Sequence, residues 1–257
     1  MGDSGGNRQG TSFGSNAVGY AAHRPDYPHE AIKWTLGPVS GRQRLTVLDV
    51  GAGTGQLTSG LWASGATVIA VEPDERMRAE LIRSHPDTEV HGGTAEDIPL
   101  RDGSVDAVVA GNAFHWFDQE RAFPEIARVL RPGGVFAALW NDDDADVEPM
   151  SGVARILGWE TATAPLERVR PHRQFAELKH AEFRHAQRCT AESLEARMGT
   201  LSPILALPDE ERIALMDRIG RYLRDNPDTG KGEFDLPIVT SVTRLELRGG
   251  VAVQPPA

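Results

Sequence analysis

The chain has 257 residues, enough for one sizeable α/β domain with a modest insertion or for two small domains. Hydrophobic residues make up 40% and charged residues 25%, proportions that set wholesale disorder aside, and no apolar run approaches the ~20 residues that span a bilayer. A formal net charge of -10 repels polyphosphate on average, which argues against nucleic acid as the substrate.

The chain opens with a polar, glycine-rich stretch that has neither the apolar core of a signal peptide nor a myristoylation signal, since Gly6 stands where Ser or Thr is required. Residues 1–15 and 249–257 are Gly/Pro-rich and aperiodic, and read as disordered tails around a folded domain at 16–248. The expectation is a cytoplasmic protein with no membrane partner. One cysteine, Cys189, excludes an internal disulfide and a multi-cysteine metal site.

From residue 45 the chain alternates short apolar runs with helical patterns, as expected of a parallel sheet covered on both faces. Strands are predicted at 45–50, 67–71, 89–91, 107–110 and 135–140. A helix at 54–63 sets Leu57 and Leu61 one turn apart, and Asp74 caps the next, with Met77 and Leu81 on one side. Asp118 caps a third helix, which stops before the turn signal Pro132-Gly133-Gly134; Pro124 predicts a kink there or a later start. Beyond Trp140 the pattern loosens. Strands at 183–189 and 238–247 flank helices at 190–198 and 208–223, the latter with Ile213, Met216, Ile219 and Leu223 on one face. The fold expected is a doubly wound, mostly parallel sheet of seven strands. A helical insertion between the last two strands would lie over the ligand-binding end of the sheet. The domain then divides into a cofactor-binding half, 16–141, and a substrate-side half, 142–248.

The segment Val47-Leu-Asp-Val-Gly-Ala-Gly-Thr-Gly55 is a strand running through a glycine turn into a helix. The glycines permit a tight bend and close ligand approach, and the helix start offers free N–H groups to a carboxylate. Glu72 ends the second strand, 21 residues after Gly51, where an acid of a doubly wound fold accepts from ribose hydroxyls; the plainer alternative is a solvent-facing acid. A dinucleotide site needs G-x-G-x-x-G, but Gln56 stands in the last position and the third glycine comes one place early, at Gly55.

The resulting G-x-G-x-G resembles the first motif of class I S-adenosylmethionine-dependent methyltransferases. The segment His91-Gly-Gly-Thr-Ala-Glu-Asp-Ile-Pro-Leu100 is similar to the stretch with which these enzymes grip adenine, with Thr94 where many members carry Asp. Arg128-Val-Leu-Arg-Pro-Gly-Gly134 is another hallmark. The closest resemblance is to the type-11 subgroup. Ala113-Phe-His-Trp-Phe-Asp118 and the N-terminal Tyr20, Arg24 and Tyr27 resemble its trans-aconitate methyltransferase-like members. The likeness is close over residues 13–141 and loose beyond.

The resemblance implies S-adenosyl-L-methionine as cofactor. Gly51, Ala52, Gly53 and Gly55, with Asp49, would hold its methionine end and Glu72 with Pro73 its ribose. Ala95 would offer an N–H to adenine while Glu96 or Asp97 accepts from its amine, and Gly111 and Asn112 would face the methionine end. Tyr20, Arg24 and Tyr27 would form a lid, or an N-terminal helix packed on the core with Arg24 in a surface ion pair. Trp116 lines the substrate side or packs as a core residue.

Methyl transfer is an in-line displacement in which the cofactor carries the leaving group, so the protein chiefly aligns the reactants and excludes water. His115 is the candidate base, with a loop-positioning or pocket-lining role as the alternative. The acidic run at 141–146 invites a metal reading, but no acid ends the fourth strand to complete a site, so a solvated loop and no metal are expected. The basic stretch from Arg168 to Arg188 either faces the pocket and attracts an anion or forms a surface stripe balanced by Glu167, Glu177 and Glu182. The expected function is methylation of a small, anionic molecule, with Arg24 meeting its carboxylate. A macromolecular substrate is less favoured because 112–115 reads Asn-Ala-Phe-His rather than Asn/Asp-Pro-Pro-Tyr. A non-catalytic cofactor-binding module and an NAD-dependent oxidoreductase are the remaining alternatives.

Overall fold

The computed structural model describes residues 25–158 and 168–248. Helix α1 (His29–Leu36) precedes β1 (Thr46–Val50), α2 (Gln56–Ala63), β2 (Thr67–Val71), α3 (Glu75–Ser84) and β3 (Glu89–His91). Then follow β4 (Val105–Gly111), α4 (Gln119–Val129), β5 (Leu130–Asp143) and α5 (Met150–Leu157). The chain continues through β6 (Lys179–Cys189), α6 (Ala191–Met198), α7 (Ser202–Leu205), α8 (Asp209–Asp225) and β7 (Phe234–Glu246). One seven-stranded sheet results, in the order β3-β2-β1-β4-β5-β7-β6. Strands β1 to β5 pair in parallel, and β7 runs antiparallel between β5 and β6. The doubly wound sheet expected from the sequence is therefore present. The order in which strands are added reverses between β1 and β4, which run parallel, and this opens a crevice at their C-terminal ends.

The central strands are buried on both faces, and their side chains alternate between two cores. Leu48, Val50, Val108, Phe136 and Ala138 pack with Phe123 and Ile126 of α4. Val47, Val109, Val135, Ala137 and Leu139 pack with Ile32 of α1 and Leu57 and Leu61 of α2. This period of two is the reason a one-residue slip of register is not tolerated here.

Three sequence expectations need correction. The Pro132-Gly133-Gly134 signal is not a turn ahead of a strand at 135. Leu130 already pairs with Val105 and Val135 with Ala107, so residues 131–134 bulge opposite Asp106 within one long strand. Gly133 has φ 69°, and a Cβ on Gly134 would sit 3.0 Å from the Asp106 carbonyl oxygen, so the bulge requires both glycines. Second, α4 does not start late. It begins directly after Asp118, whose carboxylate accepts from the Glu120 N–H at 3.2 Å, and continues through Pro124. Third, Ile213 is 60% exposed, and only Ile219 and Leu223 of the expected stripe are fully buried.

The buried residues of α5, α6 and α8 form one cluster with Leu236 and Ile238 at the start of β7. Ile238 pairs with Asp143 at the end of β5, which puts these helices at the C-terminal edge of the parallel strands. The insertion thus lies where the sequence analysis expects it.

Candidate functional site

The end of β1 bends back over β2, with the N–H groups of Gly51 and Ala52 both donating to the Val71 carbonyl, at 2.8 and 3.2 Å. Gly51, Gly53 and Gly55 all have positive φ, at 69°, 58° and 99°. A Cβ on Gly51 would lie 2.8 Å from the Ala113 Cβ, and one on Gly55 would lie 3.0 Å from the His85 ring. Gly53 differs. Its added Cβ would meet nothing closer than the Met77 sulfur at 4.0 Å, so on that side the turn faces open space. Helix α2 follows without a side-chain cap.

Asp49 is fully buried below this turn. Its Oδ2 accepts the Thr58 hydroxyl at 2.7 Å, while Oδ1 has no partner. Burial pushes its pKa up to about 7, against the Thr58 hydrogen bond and with the help of the nearby Glu72 charge. Glu72, also buried, accepts from the Gly53 N–H through Oε2 and from the Asp74 N–H through Oε1, both at 2.9 Å. Burial raises its pKa despite these two bonds. Two N–H bonds leave a carboxylate with acceptor capacity for about two more donors. Arg78 fixes the turn after β2 by donating to the carbonyls of Glu72 and Pro73, at 2.8 and 2.7 Å.

Ala95 is buried, Glu96 is half-buried and Asp97 exposed. Glu96 accepts the Asp118 N–H at 2.8 Å, tying the segment after β3 to the start of α4. At the end of β4, Asn112 adopts φ 49°; its N–H donates to the Leu139 carbonyl and its Oδ1 accepts from the Asn141 N–H. The Asn141 amide in turn donates to the carbonyls of Pro25 and Asp26, at 3.0 and 3.2 Å. Tyr27 is buried, and its hydroxyl lies 2.7 Å from where a Gly111 Cβ would be. Thus the segment before α1 is held against β4 and β5. Tyr20 and Arg24 lie outside the described residues.

His115 sits in a short 3₁₀ turn, Phe114–Trp116, after β4. Its ring packs 4.8 Å from that of Trp116, and its Nδ1 accepts the indole N–H of Trp140 at 3.4 Å. Although the residue as a whole is exposed, desolvation of the ring, followed by the Arg168 charge, pushes its pKa down to about 4. The neutral ring whose Nδ1 accepts carries its proton on Nε2, so it presents a donor. Arg168 donates to Asp142 at 3.0 Å and lies 5.4 Å from the Trp140 ring centroid.

Only the end of the acidic run, Ala145 and Asp146, is exposed loop. Asp142 and Asp143 belong to β5, and Asp142, Asp143 and Asp144 pair with Arg168, Arg197 and Arg184. Farther out, Arg188 pairs with Glu233 and Asp235, and Lys179 with Glu246. Much of the basic stretch is thus neutralised, largely by acids other than the expected ones: Glu182 stands 3.7 Å from the His180 ring, and Glu167 lies outside the described residues. Among the described residues no group of three His, Cys, Asp or Glu side chains could hold a metal. None of their helices is long and apolar enough to cross a membrane. Sequence reasoning missed Thr58, Gln119 and Asn141. Only Asn141 carried a signal, as the residue that ends the apolar run of β5.

The chain matches a family model described as a methyltransferase domain over residues 48–138. It is 37% identical over 237 residues to an uncharacterised methyltransferase of Mycobacterium tuberculosis, covering 92% of this chain and 96% of that protein. A malonyl-[acyl-carrier protein] O-methyltransferase of Methylococcus capsulatus is 39% identical over 140 residues, 50% of this chain and 49% of that one. Among solved structures, a candidate type II methyltransferase of Anaeromyxobacter dehalogenans superposes with a TM-score of 0.62 at 29% identity, covering 88% of this chain and 97% of that chain. The crevice at the reversal point, the glycine turn with one open side and the acid ending β2 agree with that kinship: the chain belongs to the methyltransferase family, with S-adenosylmethionine as its methyl donor.

Proposed function

We propose that the chain methylates a small molecule whose acceptor atom approaches over the C-terminal ends of β4 and β5. The observation that carries this reading is the cluster of α5, α6 and α8 on the start of β7, which pairs with the end of β5 and so sets these helices beside the edge where an acceptor would approach. The partial likeness to an enzyme named for O-methylation of a malonyl group supports an acceptor that is a small acyl unit.

The residues present fit the cofactor. Asp49 offers an unpartnered buried oxygen where a ligand ammonium would satisfy it, and Gly53 leaves the space that such a ligand needs. In this reading Gly51, Ala52, Gly53 and Gly55 cradle the methionine end, with Asn112 beside it. Glu72 uses its spare lone pairs for the ribose next to Pro73, and Ala95 and Glu96 border the adenine. When bound, the cofactor supplies an electrophilic methyl on a sulfonium, whose thioether is the leaving group. The chain's own residues then align the acceptor and keep water out. His115 acts as a neutral Nε2 donor at the acceptor side and not as a base, because Trp140 occupies its Nδ1. Tyr27 and Trp116 border the same edge. No metal enters this scheme, and neither a membrane nor a nucleic acid is needed as partner.

The test is methyl transfer from labelled S-adenosylmethionine to a metabolite library with mass detection. Turnover of small molecules that persists in EDTA is expected. Cofactor binding without turnover on any library member would favour a non-catalytic module, and turnover only on a polymer would overturn the small-molecule reading. Once an acceptor is found, His115→Ala should lower kcat by less than about tenfold, whereas loss of a general base costs about 10²–10⁴-fold.

A further inference from the structure

We propose that Arg168 is the binding residue for an anionic group, a carboxylate or phosphate, on the methyl acceptor, with the His115 Nε2–H as second donor. This rests on the reading above and names the acceptor's chemical class.

Arg168 stands apart from the other cations of its stretch. Arg184, Arg188 and Lys179 have side chains 71%, 59% and 56% exposed, in surface pairs on β6. The Arg168 side chain is 17% exposed and lies at the C-terminal ends of β4 and β5. Three contacts fix it there. Asp142 accepts one guanidinium N–H at 3.0 Å, and the face of buried Trp140 lies under the group. The Gln119 amide clamps its backbone from both sides, donating to the Arg168 carbonyl at 2.9 Å and accepting from the Arg170 N–H at 3.0 Å.

A guanidinium has five N–H groups in a rigid fork, and the bond to Asp142 is the one that the Arg168 guanidinium makes among the described residues. Its free edge matches a bidentate anion. Trp140 connects this group to His115, whose lowered pKa keeps the ring an uncharged donor beside the cation. A residue needed only to cover Trp140 and neutralise Asp142 would require neither the backbone clamp nor a histidine held in one tautomer. Gln119 follows Asp118, whose N–H is bound by Glu96, so the clamp is built from the helix start that borders the adenine segment.

The experiment titrates the full chain with acetate, succinate, citrate and inorganic phosphate, and with succinamide as a neutral control. It is followed by the NMR shifts of the His115 ring and the Trp140 indole N–H, with and without S-adenosylhomocysteine. At least one anion should give saturable shifts at both residues, and succinamide none. Arg168→Gln should weaken that binding about ten- to a hundredfold, as expected for loss of a charge-assisted pair. Arg168→Lys, which keeps the charge without the fork, should fall between, and Arg184→Gln should bind as wild type. Circular dichroism confirms that each variant is folded. Absence of shifts with every anion, or equal affinity in Arg168→Gln, overturns the proposal. Calorimetry with S-adenosylhomocysteine alone tests the cofactor reading separately, and the titrations without it still test Arg168.

Discussion

Asp49 combines a stability cost with a binding role. Its folded pKa of about 7 lies above the ordinary 3.8, so the folded state holds the proton more tightly than the unfolded chain. The stability from that protonation is fully present below the unfolded pKa and is lost as pH rises through the folded one. Asp49→Asn should therefore raise the melting temperature of the free protein at pH 8, by some 2–4 °C for each kcal/mol recovered. The same change should weaken S-adenosylmethionine binding at least about tenfold, because the partner of a ligand cation is gone. In wild type, calorimetry below pH 7 in buffers of different ionisation enthalpy should register proton release on binding, and Asp49→Asn should abolish it. Glu72 gives a second measurement. Glu72→Ala should cost about 1.5–3 kcal/mol of cofactor affinity in a variant that retains its native circular dichroism. Unchanged affinity would remove Glu72 from the site.

At the scale of the element, the three glycines of the turn should respond differently. Ala at Gly51 or Gly55 pushes a methyl into Ala113 or His85 and should lower the melting temperature. Gly53→Val meets open space, so beyond the strain of its positive φ the fold should tolerate it while cofactor binding is lost. Normal binding by this variant would show that the open side is not where the ligand lies. The turn and its flanking strands were legible in the sequence because β1 and β2 are short runs rich in β-branched residues between turn residues. The starts of β4 and β6 were not. β4 opens with Val105 and Asp106, and the acid is buried only because Arg42 and Arg131 and the Thr46 N–H converge on it from distant chain positions. β6 opens with Lys179, His180, Ala181 and Glu182, an edge-strand sequence whose polarity resembles a loop.

Across the whole molecule, the acidic run and the basic stretch are two halves of one arrangement, separated in sequence and joined by the sheet. Neither half reveals the other, which is why Asp142 to Asp144 read as solvated and Arg168 as one cation among several. The pair of Arg197 and Asp143 is the most enclosed, with side chains 6% and 21% exposed. Arg197→Ala should lower unfolding free energy in urea by about 3–5 kcal/mol, since it strands a half-buried carboxylate. Arg188→Ala, at an exposed pair, should barely move the midpoint. Equal effects of the two would mean that the Asp143 pair is screened as well as any on the surface.

The place of β7 between β5 and β6 also sets a schedule. As the chain is synthesised, β5 emerges with a bare outer edge, and β6 has no strand to join until residues 234–246 are made. Until then the nascent protein exposes the backbone of β5 from Val135 to Asp143, an open edge of the kind that recruits other chains. Refolding should consequently have its slow step in the insertion of one strand between two waiting neighbours, a long-range pairing whose loop-closure cost precedes its reward. A β7 peptide supplied in trans to a chain that stops before Phe234 would measure this directly, by how far it suppresses the aggregation of the unfinished sheet.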